Sequence, residues 1–261
     1  SRVNERTAEL NRVNGELRRH TTALENSNRD LEAFAYVASH DLQEPLRKIQ
    51  AFGDILRGDL GDDVSEDAAD SLETITSSAA RMSKLIDALL VFSRVTHQAL
   101  RDDAVDLDRV LGEVVEDLEL PIQRLNAEIR VKPLGRVVGD GVQLRQLFQN
   151  LVGNSLNYFQ ADTPLIVEIW SEPAPESDHG QPSLLVHVRD NGKGFEQKYA
   201  EKIFQPFQRL EGRNSGRPGT GIGLAICRRI VERHRGTVGA RGEAGKGAEI
   251  LVTLPTYTEN H

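Results

Sequence analysis

The chain has 261 residues, and its 40 aspartates and glutamates outnumber its 32 lysines and arginines, giving a formal net charge of −8. This acidic balance argues against a general nucleic-acid surface and against a polybasic membrane anchor. The single cysteine, Cys227, cannot form an internal disulfide and has no Cys or His companion for a structural zinc site. No apolar run is close to the length of a membrane-spanning helix, which needs about 18 residues. We therefore expect a cytoplasmic protein long enough for two domains.

Residues 1–30 carry apolar residues at strict seven-residue spacing, which predicts a coiled-coil signalling helix. Asn14 and Asn28 fall in the alternate core layer, where buried asparagine favours a parallel dimer in fixed register. A competing register and a single solvated helix stay open as alternatives. Because the chain begins inside this pattern and not at a methionine, we expect it to be a piece of a longer protein.

Residues 31–96 predict a helical hairpin. In its first helix, apolar or small residues recur at steps of three and four, at Leu31, Ala35, Ala38, Leu42, Pro45, Ile49, Phe52 and Leu56. His40 lies nearly opposite to this stripe and directly before Asp41. Its imidazole is therefore expected to face water.

The second helix of the hairpin follows a break over residues 57–64 and begins at a cap on Ser65. Its apolar stripe, with Met82 as a core residue, should pack antiparallel against the stripe of the first helix; the stripe comprises Leu72, Ile75, Ala79, Met82, Ile86, Leu89 and Ser93. Because neither hairpin buries its stripe fully alone, two copies should form a dimeric four-helix bundle.

Past a linker at 97–105, the pattern changes to mixed helices and strands, which indicates an α/β two-layer sandwich over 106–257 before a tail at 258–261. The predicted helices run from Asp106 to about Leu125, from the cap at Asp140 to Tyr158, and from Ile222 to His234. The predicted strands cover residues 128–131, 165–170, 184–189, 237–241 and 248–254, the last two forming a closing hairpin.

Two glycine clusters could bind a ligand through the backbone. Asp190 ends a predicted strand, and Gly192 and Gly194 behind it let the backbone approach a ligand closely. Taken alone, this stretch is equally well an ordinary Asp-Asn-Gly turn. The second cluster, residues 218–224, opens a helix, so its N–H groups and positive dipole end are suited to phosphates. It lacks the ending of a P-loop.

Asn150 and Asn154 lie one turn apart on one helix face, where amide oxygens suit Mg²⁺ that also keeps waters and substrate phosphates. Taken alone, the pair is better explained as a polar helix face. Phe204 and Phe207 could anchor the next segment, and residues 210–218, rich in Gly and Arg without periodicity, predict a mobile lid.

In this order the motifs resemble the catalytic core of a sensor histidine kinase, with a HisKA-type hairpin carrying a phytochrome-like H box and a Bergerat-fold ATPase domain. The resemblance covers roughly residues 31 to 257 and implies that His40 is the phosphoacceptor and Asp41 its acidic partner. It further implies that ATP and Mg²⁺ bind, with Asn154 on the metal and Asp190 on the adenine amino group. The nucleotide-contacting residues implied are Asn150, Asn154, Asp190, Gly192, Gly194, Phe207, Gly219, Thr220, Gly221, Gly223 and Leu224.

The resemblance implies an autokinase that phosphorylates His40 and passes the phosphoryl group to an aspartate of a response-regulator receiver domain. The partners that the resemblance implies are a second copy in a parallel homodimer, that receiver, and an upstream sensor domain that is missing from this sequence, with no nucleic acid. A Bergerat ATPase machine with a helical dimer clamp, or a nucleotide-binding scaffold without catalysis, remains the alternative. Two positions depart from the family: Asn157 stands where a lysine near the phosphates is common, and Glu44 stands where members with phosphatase activity commonly carry Thr or Asn.

Overall fold

A computed structural model describes residues 6, 12–15, 17, 19, 39, 41–59, 65–97, 100–174, 182–210 and 219–257. His40, most of the predicted coiled coil, most of the predicted lid and the tail at 258–261 lie outside the described residues. None of the helices in the described part is both long and apolar enough to cross a membrane. The chain divides into two compact units, Ser1–Ser93 and Arg94–His261, each described by itself.

The first unit contains two antiparallel helices, α1 over residues 41–59 and α2 over Glu66–His97. Gln43 near the beginning of α1 donates a 2.7 Å hydrogen bond to Asp87, and Arg57 near its end forms an ion pair with Glu73. As residue numbers rise along α1, the numbers of their partners on α2 fall, so the two helices are antiparallel. This confirms the predicted hairpin. The predicted cap is also confirmed, because Ser65 Oγ accepts a 3.3 Å hydrogen bond from the backbone N–H of Ala68.

The row that packs inside this hairpin differs from the predicted stripe. The buried residues are Leu46 and Gly53 on α1 and Thr76 and Ala79 on α2. A Cβ at Gly53 would collide with the Thr76 methyl group, so this glycine allows the close approach of the two helices.

The predicted stripe is therefore only partly at the hairpin interface. Ala79 on α2 is buried as predicted, but every described member on α1 is exposed within one chain, so the α1 half of the assignment was wrong. Its exposed members are Leu42, Ile49, Phe52, Leu56, Ile75 and Met82. Helix α1 also continues to residue 59, two residues past the beginning of the predicted break.

The second unit is an α/β sandwich, as predicted. Its five-stranded sheet has the order β2-β4-β5-β7-β6, with β2 and β4 parallel and the other pairs antiparallel, while β1 and β3 form a separate antiparallel pair. In chain order the elements are β1 (Asp103–Asp106), α3 (Leu107–Asp117), α4 (Glu119–Leu125), β2 (Glu128–Val131), β3 (Arg136–Gly139), α5 (Gly141–Asn157), β4 (Ile166–Pro173), β5 (Ser183–Asp190), α6 (Gly223–Arg233), β6 (Thr237–Glu243) and β7 (Gly247–Pro255).

The core lies between one face of the sheet and the helices α3, α5 and α6. Phe148 and Leu147 of α5 and Ile230 of α6 are completely buried, as are Val186 of β5 and Val252 of β7. Each such side chain contributes about 1.5–3 kcal/mol by leaving water. Helix α5 also contacts β5 and α6, so it occupies the centre of the domain.

The helix predicted from Asp106 to Leu125 is two helices, because the chain breaks at Leu118. Pro121 in the first turn of α4 has no N–H to donate to the carbonyl of Asp117, which removes a hydrogen bond that one continuous helix needs. The predicted cap at Asp106 is confirmed, since its carboxylate accepts from the N–H groups of Asp108 and Arg109. Strands β1 and β3 were not predicted.

Candidate functional site

Helix α5 carries the two asparagines. It begins where Asp140 accepts hydrogen bonds from the N–H groups of Val142 and Gln143 at 2.9 and 3.1 Å. Asn150 Oδ1 accepts a 3.3 Å hydrogen bond from Gln146, while the buried Asn150 Nδ2 has only the Cys227 thiol, a weak acceptor, as a partner among the described residues. The half-buried amide of Asn154 makes no side-chain hydrogen bond within the described part of the chain. Both amides therefore retain capacity for a ligand.

Asp190, the last residue of β5, has a carboxylate held from three directions. Oδ1 accepts hydrogen bonds from the N–H groups of Gly192 at 2.9 Å and Ala248 at 3.3 Å. Oδ2 accepts one from the Ser155 hydroxyl at 3.0 Å. Burial raises the pKa of Asp190, and the three hydrogen bonds oppose that rise. The side chain is thus a fixed acceptor at the end of the strand.

The turn after Asp190 folds onto the end of α5. Lys193 N–H donates a 2.8 Å hydrogen bond to the carbonyl of Tyr158, and a Cβ at Gly192 would lie 2.6 Å from that same oxygen. Gln160 holds the turn by donating from Nε2 to the carbonyls of Asn191, Gly192 and Gly245 at 3.1, 2.8 and 3.1 Å. Glycine at 192 therefore permits the turn and α5 to meet.

Gly194 has a different role from the one its spacing predicts. Its φ is 59°, and an added Cβ would collide with the carbonyl oxygens of Glu243 and Gly247. The space beside this glycine is occupied by the β6–β7 hairpin and is therefore not available to a ligand. Gly194 thus holds the hairpin against the turn.

The second glycine cluster opens α6, which begins at Gly223. Among the described residues, no side chain caps this helix at Ile222, so its first-turn N–H groups can meet an anion. Thr220 Oγ1 accepts a 3.3 Å hydrogen bond from the N–H of Ile222, and Leu224 lies half-buried in the first turn. A Cβ at Gly223 would stand 3.8 Å from Asn150 Oδ1, so the asparagine helix faces this end of α6.

The two phenylalanines differ in exposure. Phe204 is buried, and the Arg228 guanidinium lies 5.5 Å from its ring centroid. Phe207 is 59% exposed and has a left-handed φ of 62°, which is strained for a residue with a Cβ. Gly221, with φ of 74°, packs against it, since a Cβ there would lie 3.2 Å from Phe207 Cα. Phe204 is therefore the anchor.

Arg209 and Gly219 flank the part of the predicted lid that lies outside the described residues, 211–218. Arg209 donates a 3.3 Å hydrogen bond to the Gly219 carbonyl, and apart from Gly219 and its two chain neighbours no atom of the described residues comes within 4 Å of a Cβ placed on Gly219. Asp41 is exposed on α1 in the first unit.

The fold thus joins the predicted motifs through α5: Asn150 faces Gly223, and Ser155 bonds Asp190. Sequence reasoning missed Ser155 and Gln160. Ser155 could have been noticed as a hydroxyl in the buried row of Leu144, Phe148 and Leu151, where a polar group needs a partner. Gln160 follows the helix and carried no such signal.

Two family models match the chain. Residues 30–98 match the His Kinase A (phospho-acceptor) domain, and residues 139–258 match the histidine kinase-, DNA gyrase B- and HSP90-like ATPase family. The first range contains His40 and Asp41, and the second contains every predicted nucleotide-contacting residue.

Curated relatives extend the likeness over most of the chain. The phytochrome-like protein Cph1 of Synechocystis sp. is 35% identical over 232 residues, or 89% of this chain and 30% of that protein. The methanogenesis regulatory histidine kinase FilI of Methanothrix harundinacea is 30% identical over 254 residues, or 95% of this chain and 27% of that protein. The chain thus spans less than a third of the length of these relatives.

Solved structures support the fold. Full-length ShkA in complex with AMPPNP superposes with a TM-score of 0.61 at 23% identity, covering 87% of this chain and 46% of ShkA. The Acinetobacter baumannii histidine kinase AdeS gives a TM-score of 0.55 at 19% identity, covering 84% of this chain and 98% of AdeS.

Proposed function

The chain belongs to the sensor histidine kinases as their catalytic core, a HisKA hairpin followed by a Bergerat-type ATPase domain, and from that premise we propose that it phosphorylates its own His40 from ATP. One observation carries the nucleotide half of this proposal. A single helix, α5, hydrogen-bonds the buried carboxylate of Asp190 through Ser155 and faces the uncapped beginning of α6 through Asn150.

ATP suits both ends of this arrangement. The exocyclic amino group of adenine is a donor, and the Asp190 carboxylate is an acceptor fixed in place by three hydrogen bonds. The triphosphate is an anion, and the first turn of α6 offers N–H groups and the positive end of a helix dipole. The contacts proposed for the phosphates are Gly219, Thr220, Gly221, Gly223 and Leu224. ShkA, which shares the fold, was solved with AMPPNP bound.

Mg²⁺ is proposed to bind beside the phosphates through Asn154. Its amide makes no side-chain hydrogen bond among the described residues, and an amide oxygen is a ligand that Mg²⁺ accepts together with phosphates and waters. When bound, the ion neutralises charge on the phosphoryl group as it transfers. Asn150, one turn earlier and close to Gly223, would orient the same region.

In the proposed reaction, a ring nitrogen of neutral His40 attacks the γ-phosphorus of ATP. The new P–N bond forms as the bond from that phosphorus to the β,γ-bridging oxygen breaks, and ADP leaves. Asp41 accepts a hydrogen bond from the other ring N–H, which fixes the tautomer and stabilises the positive charge that develops on the imidazole. Phosphohistidine then donates its phosphoryl group to an aspartate of a response-regulator receiver domain.

A second copy of the chain is the proposed partner of the exposed apolar row on α1 and α2. Phe52 is 64% exposed and Leu42 is 55% exposed, which is unusual for large apolar side chains at regular helical spacing. A parallel homodimer would cover this row in a four-helix bundle. ATP and a reducing environment for Cys227 are both found in the cytoplasm, which stays the predicted location.

The kinase proposal is tested by incubating the purified chain with γ-³²P-ATP and Mg²⁺. We expect a label that is stable in alkali and lost in acid, and that disappears in His40→Gln. Hydrolysis of ATP without labelling would support the ATPase alternative, and nucleotide binding without either would support the scaffold.

The Mg²⁺ assignment is tested separately with Asn154→Ala. We expect labelling to be abolished while the sedimentation of the protein is unchanged, and normal labelling would contradict the assignment.

The proposed dimer is tested with Phe52→Glu, which should shift sedimentation towards the monomer. Asp54→Lys, a charge reversal outside the apolar row, is the matched control and should stay dimeric.

A further inference from the structure

Counting its partners among the described residues, the Asp190 carboxylate has room for one more hydrogen bond. An ionised carboxylate offers about four acceptor positions, two on each oxygen. Oδ1 already accepts from the N–H groups of Gly192 and Ala248, and Oδ2 accepts from the Ser155 hydroxyl. The remaining position is therefore on Oδ2, the oxygen that Ser155 holds.

The buried position of Ser155 on α5 directs its hydroxyl towards Asp190. It is 4% exposed, lies on the buried face of α5, and has only one hydroxyl proton to donate. Two acceptors lie within reach, Asp190 Oδ2 at 3.0 Å and the Leu151 carbonyl at 3.4 Å, so the shorter contact goes to the carboxylate. The donor stands directly after Asn154 in the chain.

We propose that Ser155 is a positioning residue that sets purine specificity, by orienting Asp190 so that its last free acceptor meets the 6-amino group of adenine. This inference rests on the proposed ATP-binding function. A 6-oxo purine would bring a carbonyl oxygen to the same place, where two acceptors repel. Ser155 donates a hydrogen bond to the carboxylate, which favours the ionised form of Asp190, and an ionised carboxylate only accepts hydrogen bonds.

Ser155 also favours the ionised form of Asp190. Burial raises the pKa of Asp190, while the hydrogen bonds from Gly192, Ser155 and Ala248 lower it. Among the described residues, no charged side chain contributes to this balance. Loss of the Ser155 hydroxyl should therefore raise the pKa of Asp190 further, and a protonated Asp190 accepts the amino group less well.

The test compares Ser155→Ala with the wild-type chain, using calorimetric binding of ATP and of its 6-oxo analogue ITP between pH 5.5 and pH 8. We expect ATP to bind about 3- to 10-fold more weakly to the variant at pH 8, the range for loss of one hydrogen bond. ITP binding should change less, so the ATP/ITP preference falls. The ratio of variant to wild-type ATP affinity should fall further towards acid pH, and titration of the nucleotide itself cancels in that ratio.

Each outcome decides one question. If the wild-type chain binds ATP and the variant loses ATP and ITP equally at every pH, Ser155 is merely structural and this inference is overturned, while the proposed function stands. If the wild-type chain binds no ATP, the proposed function itself fails. Ser155→Cys keeps nearly the same volume with a weaker donor and should give an intermediate preference; should Ser155→Ala not fold, the same readouts on Ser155→Cys decide.

Discussion

His234 Nε2 accepts a 2.9 Å hydrogen bond from the backbone N–H of Asp140, which ties the end of α6 to the first turn of α5. The other ring nitrogen, Nδ1, lies 2.8 Å from the Ile230 carbonyl, so it carries the proton and the ring is neutral. The imidazole packs so closely that a Cβ at Gly139 would collide with it. This contact thus joins the C-terminal end of α6 to the N-terminal end of α5, the two helices that carry proposed nucleotide contacts.

This contact predicts that the free energy of unfolding falls as the pH drops from 7.5 to 5.5. Burial lowers the pKa of His234, and although the Ile230 carbonyl, Asp140 and Asp102 oppose this, the net shift is downward. As the pH falls below about 6.5, the unfolded chain therefore binds a proton before the folded one does. His234→Gln should lose about 1–3 kcal/mol at pH 7.5 and show a flatter pH dependence, measured by urea unfolding. An unchanged slope would contradict the assignment.

Two glycine-to-alanine changes should have opposite consequences. Gly194→Ala puts a Cβ against the carbonyls of Glu243 and Gly247 at a left-handed φ, so it should destabilise the domain by more than about 2 kcal/mol. Gly223→Ala meets only Asn150 at 3.8 Å, so thermal unfolding should stay within a few degrees of wild type. Its methyl group would enter the proposed phosphate site, and ATP affinity should fall. Equal melting losses in both variants would contradict this division.

Cys227 should be inert in the native protein. Cys227 lies on α6, is completely buried, and its Sγ is 3.7 Å from the Leu147 carbonyl oxygen of α5. Burial raises the pKa of its thiol. Because the thiol is buried, it should react with Ellman's reagent only after denaturation. The reaction should then release one equivalent of the coloured thiolate, since the chain has a single cysteine. Rapid labelling of the native chain would show that α5 and α6 separate readily.

Patterns of local origin could be predicted from the sequence. Asp106, Asp140 and Ser65 cap helices as expected, because capping depends on a side chain and the next few N–H groups. Contacts set by tertiary distance could not. Gly53 decides which row of α1 faces α2, and nothing in the three-and-four periodicity distinguishes that row from the neighbouring apolar one.

The candidate site divides in the same way. Glycine spacing indicated a ligand loop, and Gly223 at the beginning of an uncapped helix agrees with it. Gly194 follows the same spacing, yet its missing Cβ makes room for the β6–β7 hairpin, a segment about fifty residues further along the chain. Strands β1 and β3 were missed, whereas β2, which also has four residues, was predicted; β1 and β3 pair with each other in a small sheet apart from the five-stranded one.

The outer face of the sheet carries a row of alternating charges, one from each strand. By register, Arg130 opposes Glu168, Glu168 opposes Arg189, and Arg189 and Arg241 flank Glu249 on β7. Glu249 is the buried member of the row and is 7% exposed. Its contacts are Arg189 at 2.8 Å, His187 at 3.1 Å and Arg241 at 3.6 Å.

Glu249→Gln should therefore destabilise the domain far more than Glu168→Gln. Burial opposes ionisation of Glu249, yet hydrogen bonds with His187 and Arg189 lower its pKa overall, so its carboxylate stabilises the fold at neutral pH. The amide should cost about 1–3 kcal/mol in urea unfolding, whereas the exposed pair of Glu168 with Arg130 should cost about 0.5 kcal/mol or less. Since a depressed carboxyl pKa stabilises only above the unfolded value, the Glu249→Gln deficit should shrink as the pH falls below about 4.3. Equal losses in the two variants at neutral pH would show that Glu249 behaves as an ordinary surface charge.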